Sequence, residues 1–435
     1  MTMGVGQKAG QGAADHLRSY DACPHPHPHP AGEGAKSFPA AGEGAKPFPP
    51  AGKGVEVFTL EGEGTKAPIS TDSSGDDMPS SLPARGRAGV GAPARQGEDF
   101  RSDLRVPGSA NAQARRILSP QELAPLTQLS TPKSLLAISQ TAALIAAAIA
   151  FALSIGPSPW IILSIIAIGI AQHGIFILAH EAAHYRLFAN RAVNDAAGRL
   201  IGMAGGVSMC TYRVTHRLHH NNLYTTQDPD TAIHGGYPRG KAYLVKKLLQ
   251  DISGLNAWKT YAYFFGSPAI NDDAPDRINP LNDTSPQLRA AARQDRWCVV
   301  AFHIVAPLLV FASAGWMGLA WYAVLWLLPL LTVLQPILRL RAICEHGAVT
   351  DLSSPLTAAR SNNTTGNALN WLGRTLLFPH HVNYHLEHHL YPAVPHYHLP
   401  RLHQLLREKG ALAGAEVRDL HQTFQLIFAQ RKPRV

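Results

Sequence analysis

The sequence predicts an all-α integral membrane protein with four transmembrane helices in two hairpins, a cytoplasmic helical cap and a disordered N-terminal tail. Three observations predict it. Uncharged apolar runs near membrane length come in two closely spaced pairs, and the Lys and Arg residues are confined to the segments outside those pairs. Three clusters of histidine all fall on the side of the membrane that this charge pattern defines.

Residues 1–130 read as a low-complexity tail. The run His25–Pro30 alternates His and Pro, and a ten-residue repeat follows: AGEGAKSFPA from Ala31, AGEGAKPFPP from Ala41, AGKGVEVFTL from Ala51 and EGEGTKAPIS from Glu61. Gly-, Pro-, Lys- and Glu-rich sequence buries too little apolar surface to offset chain entropy. Nor does it have the charged start, apolar core and cleavage site of a signal peptide.

From residue 131 to 435 the chain reads as one membrane domain. Ser134–Ile155 is uncharged and reaches the roughly 20 residues a helix needs to cross a bilayer. Across Gly156–Pro159 a second span runs from Trp160 to about Ala179; a third covers Trp297 to Ala314 and a fourth Leu319 to Leu338. The Gly-rich stretch Ala196–Cys210 is too short to span and is expected as one re-entrant or interfacial helix packed against protein. The connections 156–159 and 315–318 carry no charge, whereas Tyr185–Arg296 and Arg339–Val435 are basic. An excess of Lys and Arg near span ends marks the cytoplasmic side, so both termini and the central segment are expected there.

The four cysteines, Cys23, Cys210, Cys298 and Cys344, are far apart and form no C-x-x-C pair. That excludes a disulfide framework, a zinc ribbon and a rubredoxin-type centre. Histidine is the abundant residue, at 22. The clusters are His180-Glu-Ala-Ala-His184, His216-Arg-Leu-His219-His220 and His385-Leu-Glu-His388-His389. Residues three and four apart share a helix face, so H-x-x-x-H aims two imidazoles one way and H-x-x-H-H aims three. Neutral imidazole suits iron, zinc, copper and nickel, and these eight together can hold more than one ion. With the N-terminus inside, spans two and four both end inside, so all three clusters reach one membrane face.

The order H-x-x-x-H, H-x-x-H-H, H-x-x-H-H around two hairpins resembles the membrane fatty-acid desaturase superfamily, which includes related hydroxylases and carotenoid-modifying enzymes. The resemblance covers about Ser134 to Leu406, including HRLHHNNLYTTQDPD and HVNYHLEHHLYPAVPHYHLP. It implies a non-haem di-iron centre in an all-histidine shell, dioxygen as co-substrate and an external electron donor. It also implies a further ligand at the end of the fourth span, where His346 stands. Tyr185 departs from the small residue that often follows the first cluster.

Other histidines have plainer readings. His173 is expected to be a polar contact within the bundle, and His380, His381, His396, His398 and His403 interfacial or supporting residues. Glu181, Glu387, Asp228 and Asp230 are candidates for orienting imidazoles through their second N–H, with surface exposure as the alternative.

Methylene C–H bonds have no acidic proton and no polarised carbonyl, so acid–base catalysis alone cannot break them, and an oxidant drawn from dioxygen must. The expected reaction is introduction of a double bond into a fatty acyl chain, with hydroxylation of a lipid or carotenoid as the alternative. A second alternative is a zinc metalloprotease, because His180–His184 also matches H-E-x-x-H with Glu181 as base. A metal transporter would place its ligands at mid-membrane depth instead. The chain shows no dinucleotide fingerprint after a strand and no iron–sulfur spacing. Electrons are therefore expected from a separate ferredoxin or b-type cytochrome, docking near Arg239, Lys241, Lys246 and Lys247, which anionic lipid head groups would equally attract. The expected partners are the membrane, a lipid substrate and this donor, and no nucleic acid.

Overall fold

The computed structural model describes residues 117–430 apart from 226, 271–278, 283, 350–351, 353 and 364–367. The repeats and the His-Pro run lie outside the described residues. The described fold does include residues 117–130, which the sequence assigns to the tail. Ser119 caps helix α1 (Pro120–Thr127) through a reciprocal capping box with Glu122. Leu118 and Leu126 are buried against Leu386, Leu390 and Tyr391, next to the third histidine cluster.

Three helical stretches are long and apolar enough to cross a membrane: α2 (Thr131–Ile155), α3 (Ile161–Ala183) and the 61-residue stretch Pro286–His346. Helix α2 ends at Gly156, whose φ of 63° turns the chain, and α3 returns against it, with Ser164 donating to the Ala148 carbonyl at 2.8 Å. Helix α3 runs past the expected end at Ala179 and carries His180 on its last turn.

The third stretch begins with α9 (Pro286–Tyr322), eleven residues before the expected Trp297, and is broken at Gly315 (φ 59°, ψ −155°). A Cβ at Gly318 would lie 3.2 Å from Val310. Eight residues of straight helix span about 12 Å, so the chain reverses at Gly315. The returning arm contains a π-turn (Ala323–Leu327), a short α10 (Leu328–Leu331) and α11 (Leu334–His346). Side chains satisfy carbonyls freed by this irregularity: Gln172 donates to Trp326 O at 2.9 Å, Gln335 to Leu330 O at 2.8 Å and Tyr261 to Leu330 O at 3.1 Å.

The stretch Ala196–Cys210 is not one helix. Helix α4 (Arg191–Gly205) stops at Gly206 in the left-handed conformation (φ 78°), and α5 (Met209–Asn222) restarts from Ser208, whose side chain accepts from Thr211 N. A Cβ at Gly198 would lie 2.7 Å from Ala182 Cβ, which is why α4 sits close to the end of α3. A one-turn α6 (Thr231–His234) leads to α7 (Lys241–Ile252) and α8 (Ala257–Phe264). After α11 come a one-turn α12 (Pro355–Ala358), strand β1 (Ser361–Asn363), α13 (Ala368–Leu376), α14 (His385–Leu390) and α15 (Leu399–Glu408). Strand β2 (Val417–Asp419) pairs parallel with β1, Ser361 opposite Val417, and α16 (Leu420–Ile427) follows.

Candidate metal centre

Four helix segments deliver the histidines. The end of α3 brings His180 and His184; α5 brings His216, His219 and His220; the end of α11 brings His346; and α14 brings His385, His388 and His389. Helix α5 is fixed at its start by Asp295 of α9, which accepts from Cys210 N at 2.9 Å and Ser208 Oγ at 3.0 Å. A carboxylate there also complements the positive end of the helix dipole. The Arg213 guanidinium ties α5 to α3 and α4, donating to Ala182 O at 3.3 Å and pairing with Asp195. Tyr185, the unexpected residue after the first cluster, is buried in a left-handed turn (φ 57°) beneath the guanidiniums of Arg191 and Arg213.

All nine predicted residues converge, sorted into two groups. His180, His184, His216, His220 and His388 form one, and His219, His346, His385 and His389 the other, with the ligand atoms of each group within 4.8 Å of one another. Each H-x-x-H-H motif presents its three imidazoles on one helix face and divides them between the two groups. Residues four apart, at 40° on the helix wheel, stay together, as His216 with His220 and His385 with His389. The residue three along, His219 or His388, lies about 60° the other way and joins the neighbouring group.

The ring nitrogens suit metal ions. Nε2 atoms of His184 and His216 are 2.8 Å apart, those of His220 and His388 3.1 Å, and those of His346 and His385 2.8 Å. Adjacent nitrogens around an ion with bonds of about 2.0–2.1 Å would be about 3 Å apart. His219 directs Nδ1 to Asp228 Oδ1 at 2.9 Å, and His346 directs Nδ1 to Ala358 O at 3.2 Å. Each thereby presents Nε2 to the other across 3.2 Å. With both Nδ1 hydrogens committed, two lone pairs would face each other unless a proton or a metal ion lies between them.

The electrostatics agree. Burial pushes His216, His220, His385, His388 and His389 well below the usual histidine range, and His184 down to about 3. These imidazoles are neutral, as ligation requires. Burial also acts to lower His219, but the Asp228 and Asp230 carboxylates outweigh it and raise it to about 9. That site attracts positive charge.

The carboxylates divide. Asp228 is buried and orients His219, as expected, and also accepts from Tyr224 N at 3.0 Å. Asp230 bonds Tyr263 and stands 3.7 Å from His219 Nδ1. Glu181 lies behind His180, 3.4 Å from its Nδ1, and accepts from His396 N at 2.9 Å. A protease base would instead face a metal-bound water, so this placement opposes the H-E-x-x-H reading. Glu387 orients none of the nine; it pairs with His403 Nδ1 at 2.5 Å.

His173 is buried in α3 outside both groups. His380 meets Thr141 at 2.9 Å and His398 meets Leu126 O at 2.9 Å. Sequence reasoning missed His234 and Arg360. His234 is buried 3.8 Å from Asp228 and packs against His346 with the rings tilted by 37° and their centres 4.8 Å apart. It lies outside any repeated spacing, and only the fold of α6 brings it in. Arg360 is fully buried, pairs with Glu416 at 3.1 Å, and donates to Cys344 O and Gly347 O, both at 3.0 Å. It neutralises the end of α11 that carries His346.

Two adjoining all-histidine groups at the ends of helices define the class: a helical protein with two clusters able to hold metal ions. The chain belongs to the fatty acid desaturase family, which it matches over residues 157–421, more than half its length. It is similar to a dihydrorhizobitoxine desaturase of Bradyrhizobium elkanii, 27 % identical over 54 % of this chain and 64 % of that protein. An acyl-lipid (9+3)-(E)-desaturase of Dimorphotheca sinuata is 24 % identical over 55 % of this chain and 66 % of its own length. An sn-1 oleoyl-lipid 12-desaturase of Anabaena variabilis is 22 % identical over 63 % and 77 % respectively. The chain thus spans under two thirds of the first two relatives.

Proposed function

We propose that the chain is an integral membrane di-iron oxidoreductase that uses dioxygen and an external electron donor to introduce a double bond into a fatty acyl chain. The observation that carries this reading is the division of nine imidazoles into adjoining groups of five and four. Two irons held there would supply the oxidation of an unactivated C–H bond by dioxygen. His180, His184, His216, His220 and His388 would hold one, and His219, His346, His385 and His389 the other. Asp228 keeps His219 in the tautomer that ligates through Nε2. Zinc fits the group of five less well, because its structural sites take four ligands and its catalytic sites three.

The four-crossing topology is part of the proposal. The reversals at Gly156 and Gly315 support it, and the basic segments Tyr185–Arg296 and Arg339–Val435 support a cytoplasmic site and termini. Formation of one double bond with water as co-product takes two electrons from outside the substrate. Four widely separated cysteines and no dinucleotide fingerprint support a separate donor, a ferredoxin or b-type cytochrome. The names of the relatives favour desaturation over hydroxylation.

Acyl-chain analysis of cells expressing the chain tests this reading. A new unsaturated acyl species is expected with the native chain and not with His388→Ala. Identical profiles for the native chain and the variant, both accumulating in the membrane, would overturn it.

A further inference from the structure

Helices α7 and α8 have an unusual surface. Leu249, Ile252, Leu255 and Trp258 are all more than half exposed, and Lys241 and Lys246 stand exposed among them. An amphipathic, lysine-bearing segment with an exposed Trp is the pattern of helices lying in the bilayer interface. Between α7, α8 and α11 is a cavity of about 200 Å³. One side is lined by Lys247 and Lys259, both half-buried, from the two interfacial helices. It reaches Tyr212 and Asp230, which touch different ligand groups. Tyr212 stacks on His216 with ring centres 5.4 Å apart, and Asp230 lies 3.7 Å from His219. Phe264 and Leu338 contribute apolar surface to the lining.

Most charges at the cavity are already matched. Arg339 holds Asp251 at 3.0 Å, Arg341 holds Glu345 at 2.8 Å, and Asp230 bonds Tyr263. Lys247 and Lys259 have no carboxylate partner among the described residues; their ammonium groups lie over the rings of Tyr243 at 5.5 Å and Trp258 at 5.8 Å. Two half-buried lysines lining one cavity attract an anion.

We infer that this cavity takes an amphiphile with an anionic head, a carboxylate or a phosphate, held by Lys247 and Lys259 with its apolar chain directed towards Tyr212. For the chain the inference rests on the acyl reading above; the charge requirement is independent of it. Lys247 and Lys259 then determine which acyl carriers are accepted, and neutral carriers are discriminated against.

Equilibrium binding to the purified full chain in a neutral detergent tests this without turnover. The probes are spin-labelled stearic acid, its methyl ester and a spin-labelled lysophosphatidic acid. The charged probes should bind about tenfold more tightly than the ester, a difference of about 1.4 kcal/mol. Lys247→Ala/Lys259→Ala should erase that preference, and Lys247→Arg/Lys259→Arg should keep it. Preference for the acid alone or the lysophosphatidic acid alone supports the inference and identifies the head as carboxylate or phosphate. Equal binding of ester and charged probes, or a preference that survives the double alanine substitution, overturns it. A chain that forms no double bonds yet discriminates by charge supports the inference and overturns only the desaturase reading.

Discussion

His219 and Asp228 are buried and joined through Nδ1 over 2.9 Å, which leaves the His219 Nε2 facing His346. The carboxylate sets the tautomer and adds negative charge behind the ligand. Asp228→Asn keeps the shape and removes the charge. Supporting contacts of this kind contribute about 10–100-fold to metal affinity. Competition with a graded chelator series should show the His219 group losing its ion by that factor, with helical content unchanged. Unaltered affinity would remove Asp228 from the site.

Arg360 is expected to matter more for folding than for chemistry. Its guanidinium shares buried Glu416 with Arg418 and binds carbonyls at the end of α11. Arg360→Ala leaves buried Glu416 to Arg418 alone, which holds it at 2.8 Å, and takes the donor from the Cys344 and Gly347 carbonyls, at a cost of about 1–3 kcal/mol. The temperature of thermal inactivation in detergent should fall, and Arg360→Ala/Glu416→Leu should recover part of the loss. A single variant as stable as the native chain would contradict this.

Truncation should separate the repeats from α1. Leu118 N donates to the Tyr391 hydroxyl at 3.2 Å, Glu122 pairs with Lys409 at 2.8 Å, and Ser130 N donates to the Tyr397 hydroxyl at 2.6 Å. Removing residues 1–115 is expected to leave metal content and stability as they are. Removing residues 1–129 strips the cover from Leu386 and Leu390, beside the third histidine motif, and should lower both. Two truncations of equal stability would show that α1 is dispensable.

Trp258 reports on the depth of α8. Taken as the difference between the native chain and Trp258→Phe in bilayers, its fluorescence should be quenched more by lipids brominated near the head group than by lipids brominated near the chain end. Quenching by aqueous iodide without quenching by either lipid would place α8 in water and contradict an interfacial segment.

Much of this was legible in the sequence because bilayer length, charge segregation and histidine spacing are local signals. Ser134–Ile155 agrees with α2 to within three residues at its start, and all nine candidate ligands converge. The division of each H-x-x-H-H motif between two groups follows from the 100° helical step, but only the approach of α5 to α14, with His220 Nε2 3.1 Å from His388 Nε2, shows that both groups form. The break at Gly206 was hidden inside an apolar Gly-rich run, where periodicity cannot tell a helix from two helices joined by a left-handed glycine. Helix α1 is short and buries Leu126 alone, too little for a periodic signal, although the S-x-x-E of Ser119 and Glu122 marks its start. His234 and Arg360 carry no spacing signal, and their roles depend on contacts between segments distant in sequence.

The central claim is two ions in two histidine groups, and metal content per chain tests it most directly. Protein purified in mild detergent should carry about two irons and little zinc. His216→Ala and His385→Ala should each lower that to about one, and the double variant should bring it near zero, since the two residues serve different groups. A single zinc per chain, or two substitutions that remove the same ion, would contradict the account.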